Sequence, residues 1–528
     1  MPSPTDEPLL DADDIQGNIL PGFRRNVQLF VGFTLGAGAD ARAALAALAD
    51  AVTPLATVLA HKAERKLALA AGRRMAPRAD LWVNLALSTR AANALGLTTV
   101  QDLDLALAAG MRPARTGDAV GKTLSDGTPN PAHPGQWAVG GPTKPLDLLV
   151  IFAADSDIEA AARPLIDAVS TSGAVKIYEE RGALLPGDIE HFGFQDGISQ
   201  PGVHGVVEVR GRDDGDGAIR PITTRYGVPS RNGLDYGKPG QPLAWPTQFL
   251  VGLRGPDGLL DDVEPALRNG SLMVFRRLRQ DVAAFHAETA AMARQLPDAP
   301  SAELLRARIV GRWPSGQPLM RPTQGSPTEP ESPLAINHFE YQTDVPELRL
   351  TGSATEDGTR RTIPGADVGA EPLRGVRCPI WAHVRKVNPR DLGTNLGGPF
   401  ETLGFQMLRR GIPFGPVYDH TAPEAPVNHE ERGLLFVSYQ RSITDQFEKL
   451  NSNWMNSAIG PVAGGTDLLV GQRLDPATGL HGPKDAELVA AAGAPAIRIS
   501  APAQWVVPTG GAYLFAPSIS TITALSRT

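Results

Sequence analysis

Asp196 stands between two glycines in the stretch HFGFQDGISQPG (191–202), with Phe194 before it and Ile198 after it. A solvated turn would gather polar neighbours around its aspartate. Here the neighbours are aromatic and aliphatic, and Gly193 and Gly197 let the backbone approach something flat or bulky. The stretch reads either as an Asx-type turn ending a strand or as a carboxylate held for proton transfer. A second concentration of chemistry, CPIWAHVRKVNPRD (378–391), sets His383 behind Trp381 and ahead of Arg385, Lys386 and Arg390. An imidazole there is a candidate metal ligand, and the cations are candidates for pairing with anionic groups of a cofactor. The plainer alternative is an interior histidine with its hydrogen bonds satisfied. A third stretch, GFQMLRRGIPFGP (404–416), presents Arg409 and Arg410 between an apolar, helix-like run and a Pro-Gly turn.

The elements that must position these residues repeat one unit. NVQLFVGFTLGAGADARAALAALAD (26–50), DLLVIFAADSDIEAAARPLIDAV (147–169), GSLMVFRRLRQDVAAFHAETAAMARQL (270–296) and RGLLFVSYQRSITDQFEKL (432–450) each read as a strand followed by a helix. Asp155 to Asp157 are capping candidates in the second unit. Further strands are expected at 81–88, 175–184, 248–253 and 503–517. Strand–helix–strand units with extra strands match the split βαβ pattern. The fold class is therefore α+β: two ferredoxin-like domains whose antiparallel sheets face each other. The domains are expected at 1–230 and 231–528, with a Pro-, Gly-, Ser- and Thr-rich loop insertion at 311–372.

Composition narrows the function classes. With 528 residues, 42% hydrophobic and 20% charged, the chain has enough apolar content for a large core. A formal net charge of −7 argues against a general nucleic-acid partner or an anionic membrane surface. The single cysteine, Cys378, excludes an intramolecular disulfide, an iron–sulfur cluster and a Cys-rich zinc site, and suits a cytoplasmic location. FRRNVQLFVGFTLGAGADA (23–41) imitates a twin-arginine leader, but its alternation reads as a first core strand. DDGDG (213–217) lacks the twelfth-position glutamate of a calcium loop and reads as a turn. HEER (429–432) is not a zinc-binding HExxH and reads as a strand cap. Cys378 has no evident base partner and reads as a buried small side chain.

Five pieces in order, DIQGNIL (14–20), GFQDG followed by ISQPG (193–202), HVRKVNPR (383–390), RRGIPFGP (409–416) and LLFVSYQRSITDQF (434–447), resemble the dye-decolorizing peroxidases, in particular their longer fungal and bacterial members. The resemblance implies two ferredoxin-like domains enclosing haem b. It implies Asp196 as distal acid–base, Arg409 as distal charge stabiliser, and His383 as axial ligand to the haem iron. It further implies Arg385 on a haem propionate, Asp445 as a carboxylate behind His383, and Gly197, Ile198, Ser199, Gln200 and Phe405 along the haem. Hydrogen peroxide and a bulky organic donor would be the substrates; a homo-oligomer is compatible with it. A haem carrier without turnover is the alternative, although mere binding would not need both Asp196 and Arg409.

The residue types suit that chemistry. Cleaving hydrogen peroxide needs a base for its first proton, an acid to return it, and positive charge where the O–O bond polarises. Bulky donors would pass electrons inward through oxidisable side chains. If residues 381–383 are extended, Trp381 shares a face with His383. Tyr439 and Tyr418 are the other candidates, whereas Phe414 resists oxidation.

Overall fold

The computed structural model describes residues 10–527 apart from 74, 119, 207–211, 214–217, 221–235, 298–299, 322–325, 332–334, 346, 351–361, 368–374, 420–430 and 503. Nine strands form the main sheet: β1 (Val27–Thr34), β2 (Trp82–Leu87), β3 (Leu148–Ala154), β4 (Val175–Ala183), β5 (Ser271–Gln280), β6 (Leu408–Arg409), β7 (Ile412–Phe414), β8 (Gly433–Gln440) and β9 (Val506–Ala516). All four strand–helix repeats are present, their helices being Gly38–Ala46, Ile158–Thr171, Val282–Gln295 and the π-helix Ile443–Met455. The first half runs β2-β3-β1-β4 and the second β9-β5-β8 with β7 and β6 beyond, so the split βαβ order occurs twice.

The two sheets do not merely face each other. Strand β5 pairs with both β9 and β8, Leu87 of β2 pairs with Phe515 of β9, and Phe414 of β7 pairs with Gly182 of β4. The strands thereby close into a barrel. Closure explains the continuous apolar character of β1, β2 and β3, which are covered on both faces. Phe30, Ile151, Phe275, Val437 and Leu514 point into the interior. Leu29, Val31 and Phe33, alternate residues of β1, pack outward with Leu45, Ile158 and Ile166 of the helices. Phe275 bridges the halves, stacked on Phe30 at 5.7 Å and tilted against Tyr178 at 6.1 Å. The C-terminal helix Ile519–Arg527 returns to the first half, where Ile522 joins the same outer core.

The DIQGNIL segment seals the seam beside β2. The Gln16 amide accepts from Leu85 N–H at 2.9 Å and donates to Leu85 C=O at 3.0 Å, as a neighbouring strand would. The twin-arginine look-alike is β1, as its alternation predicts.

Several expectations need correction. Residues 248–253 are not a strand: Pro246 opens a 3₁₀ turn through Gln248, Gly252 takes φ +74°, and Phe249 to Val251 are buried in a loop. The helix-like run at 404–408 follows a short helix, Pro399–Leu403, and leads into β6 and β7. Asp157 takes the N-cap position with φ 48° and no side-chain cap bond, while Asp155 binds Arg25 and Arg78 N–H instead. The expected 230/231 boundary, the DDGDG turn beyond Asp213 and the start of HEER lie outside the described residues. Part of the 311–372 region, Leu348–Leu350, pairs in parallel with Ala218–Arg220. Among the described residues no helix is long and apolar enough to cross a membrane.

Candidate active site

Asp196 lies in a loop held from three sides. Its Oδ1 accepts from Gly197 N–H at 2.6 Å and stands 3.9 Å from Arg409 Nη1, with the carboxylate side chain 43% exposed. Arg409 leaves β6 beside this loop, donates from Nη2 to Ser199 C=O at 2.8 Å, and exchanges backbone hydrogen bonds with the Gln200 amide. The guanidinium is thus fixed by the loop that carries the carboxylate. A turn at 311–318, closed by the Arg312–Pro318 bridge, supports the loop from below. Gln195 N–H donates to Pro314 C=O, and Gly316 (φ +86°) lies so close to Ile198 that a Cβ there would strike its Cδ1.

Glu190 braces the start of the same loop. Its carboxylate accepts from Phe192 N–H at 3.0 Å, Phe194 N–H at 3.1 Å and Gln280 Nε2 at 2.6 Å. Burial pushes it up to about 7 despite those donors, with the charge of Asp196 adding to the rise.

His383 opens a one-turn helix, His383–Val387. Its Nδ1 meets Asp467 Oδ2 at 2.8 Å, which leaves Nε2 for a metal. Asp467 is fully buried, and its other oxygen accepts from Leu469 and Val470 N–H. Burial alone would raise this carboxyl; the imidazole, Val470 N–H and Lys484 outweigh it and hold the group below its ordinary value. The 311–318 turn reaches this side too, since a Cβ on Gly311 would strike Val384.

One expected role fails on geometry. Asp445 does not support His383: its side chain is 70% exposed and lies near Lys449 and Ser442. Arg385 turns into the interior, donating to Cys378 C=O at 2.5 Å and lying over the Tyr341 ring at 4.7 Å. Phe405 packs edge-on against Trp454 at 5.6 Å, with Lys449 over its face. Cys378 is buried, and burial pushes its thiol up to about 11.

Arg312, unremarked in the sequence, is the more informative cation. It donates to Gly316 and Ile336 carbonyls, to Ser199 Oγ and to Asn337 Oδ1. Burial, then the nearby charges of Arg390 and Arg409, pull it down to about 9. Arg390 lies 3.8 Å over the Phe339 ring and donates to Asn337 and Phe339 carbonyls. Neither arginine forms an ion pair among the described residues. Two cations of this kind fit a cofactor bearing carboxylates. Among the described residues, no three His, Cys, Asp or Glu side chains converge on a possible metal position. His383, with Nδ1 held by Asp467, and the two cations Arg312 and Arg390 fit a haem, which carries an iron and two carboxylates.

The aromatic relays fare differently. Residues before His383 are not extended, so alternation does not bring Trp381 toward it. Trp381 is buried and donates to Glu487 C=O at 2.8 Å. Tyr439 is buried in the barrel with its phenol on Asn84 Oδ1 at 2.6 Å, an amide oxygen too weakly basic to take the proton lost on oxidation. Tyr418 stacks on His286 at 6.1 Å beneath Arg432.

The C-terminal model of the Dyp-type peroxidases matches residues 360–467, the segment that carries His383, Arg409 and Asp467. The dye-decolorizing peroxidase msp1 of Mycetinis scorodonius is 30% identical over 97% of this chain and 87% of its own length. The multifunctional dye peroxidase DyP2 of Amycolatopsis is 28% identical over 87% and 84%. Among solved structures, an ancestral D-type dye decolorizing peroxidase superposes with TM-score 0.72 at 27% identity, over 99% of this chain and all of that one. The fungal DyP-type peroxidase of Auricularia auricula-judae gives 0.69 at 25%, over 98% and 99%. By sequence over nearly its full length and by fold, the chain belongs to the dye-decolorizing peroxidase family.

Proposed function

We propose that this peroxidase reduces hydrogen peroxide at a haem b bound through His383 Nε2, and oxidises an organic donor such as a dye or phenol in return. The Asp196–Arg409 pair, whose loop rests on the same 311–318 turn that contacts the His383 helix, is the observation that carries the reading. When bound, the haem supplies redox-active iron and the first electrons for O–O cleavage. Asp196 takes a proton from hydrogen peroxide and returns it to the departing hydroxyl, so that water leaves. Arg409, already fixed by Ser199 and Gln200, offers its charge to the polarising oxygen pair without reorganising. Asp467 keeps the proton of His383 on Nδ1 and makes Nε2 a more electron-rich ligand. Arg312 and Arg390, rather than Arg385, would hold the propionates. Gly197, Ile198, Ser199 and Gln200 would lie along the haem edge.

The test is a haem-loaded series. His383→Ala should lose the Soret band while keeping the circular dichroism of the fold. Asp196→Asn and Arg409→Leu should keep haem and react with one equivalent of peroxide roughly 10²- to 10³-fold more slowly in stopped flow. Wild-type rates in both variants would overturn the assignment.

A further inference from the structure

Two lysines are buried around the His383–Asp467 pair, and neither takes part in the peroxide chemistry proposed above. Lys386 follows His383 by three residues, nearly one turn further along the same short helix. Its ammonium donates to the carbonyls of Ser457, Gly460 and Gly465 at 2.6–2.8 Å, all three of them neutral acceptors. Lys484 arrives from another element, the strand Lys484–Leu488. That strand runs antiparallel to residues 464–466. Glu487 N–H donates to Gly464 C=O at 2.9 Å, Thr466 N–H donates to Asp485 C=O at 3.0 Å, and Gly465 faces Ala486. The pairing brings Lys484 abreast of Asp467, and its ammonium donates to the carbonyl of Leu468, the next residue. The same cation lies 5.0 Å over the Trp505 ring, whose Nε1 donates to Glu288 at 2.7 Å. Gly465 joins the two lysines: its carbonyl takes Lys386, and a Cβ on it would strike Ala486 of the Lys484 strand.

Burying an ammonium among neutral carbonyls costs free energy that a nearby carboxylate offsets. Burial pulls each lysine down to about 8, and Asp467 opposes the fall in both, joined by Glu288 at Lys484. Both therefore stay charged at neutral pH. The Asp467 oxygens are already taken, by His383 on one side and by Leu469 and Val470 N–H on the other. The lysines thus act on the carboxylate across the low-dielectric interior. A carboxylate behind a ligand histidine makes the imidazole more electron-rich by drawing on its Nδ1 proton. Cations near that carboxylate stabilise its charge where it is and weaken its pull on the proton.

We propose that Lys484, with Lys386, tempers the electron-donating effect of Asp467 on His383, and so keeps the reduction potential of an iron held there higher than the His–Asp pair alone would set it. Both are positioning residues, acting through Asp467 and not on substrate. The inference deepens the proposed function and rests on axial ligation by His383. A higher potential lets the enzyme take electrons from donors that release them less readily, such as aromatic ethers beside phenols.

The sign of one shift separates this role from a merely structural one. If Lys484 only holds the Asp467 segment in place, its removal loosens the Asp467–His383 bond and the potential rises. If it tempers the charge, its removal makes Asp467 the stronger base and the potential falls. Spectroelectrochemical titration of the holoenzyme at about pH 6, where both lysines are charged, reads that sign. Lys484→Met should shift the ferric–ferrous equilibrium at least about tenfold toward ferric iron, a fall of about 59 mV for one electron. Lys484→Gln, neutral but still able to donate to Leu468, should fall likewise. In an Asp467→Asn background, Lys484→Met should lose most of its effect. Lys386→Met should also lower the potential; no fall there overturns the part given to Lys386. Resonance Raman of the ferrous holoenzyme should show an iron–histidine stretch that rises in frequency in Lys484→Met. Its absence from wild type refutes ligation by His383 and this inference with it. The stretch present, with the potential unchanged or raised in both Lys484 variants, overturns this inference alone.

Discussion

The carboxylate that orients His383 comes from 84 residues further along the chain. Asp467→Asn keeps the volume and removes the charge that favours an electron-rich imidazole. With haem bound, the variant should show a raised iron reduction potential and a roughly 10- to 100-fold slower reaction with peroxide. Asp445→Asn should change neither, because Asp445 is solvated. Spectroelectrochemical titration of the two variants checks the contrast. Asp196 and His383 stood out as candidates because each sits in a local pattern that chemistry explains, and Arg409 because of the family motif around it. Asp467 did not, since GGTDLLV reads as an ordinary loop. Its one signal is the signal of Asp196, an aspartate pressed among glycines and aliphatics. Arg312 and Arg390 acquire their meaning only from what surrounds them in space, which spacing along the chain does not encode.

At the scale of elements, the 311–318 turn is the common support of both sides of the site. Gly316→Ala forces a side chain onto a left-handed backbone and into Ile198, costing about 1–3 kcal/mol. The variant should retain its haem spectrum but react more slowly with peroxide, as the Asp196 loop is pushed away; equal rates would show that the loop does not depend on the turn. Glu190 adds a pH dependence to the same loop. Its folded value of about 7 lies above the ordinary 4.5, so the folded chain holds a proton that the unfolded chain releases. That stabilising contribution is full below about pH 4.5 and is lost as pH rises through about 7. Glu190→Gln should therefore flatten the fall in melting temperature between those values, measured by thermal denaturation across a buffer series. The strand–helix repeats were legible because their hydrophobic periods run long enough to count. Strands β6 and β7 were not, being two and three residues long and carrying Arg409 and Pro413.

For the whole molecule, the fold class was legible but the closure was not. Closure rests on two single pairings, Leu87 with Phe515 and Gly182 with Phe414, that no periodicity announces. With side chains of both halves sharing one interior, and the C-terminal helix packed on the first half, the chain should unfold as one cooperative unit. Calorimetry should give a single transition, and Phe275→Ala should lower it as a whole, by about 3–5 kcal/mol; two separated transitions would contradict the shared core. The Gln16 amide at the seam carries a further consequence. An uncovered strand flank is a template on which another chain can add, the route to strand exchange and fibrous aggregates. By occupying the Leu85 peptide group on both its donor and acceptor sides, Gln16 withdraws that template with a single side chain. Gln16→Ala would reopen it, and a chain stable enough to stay folded could still become prone to polymerise.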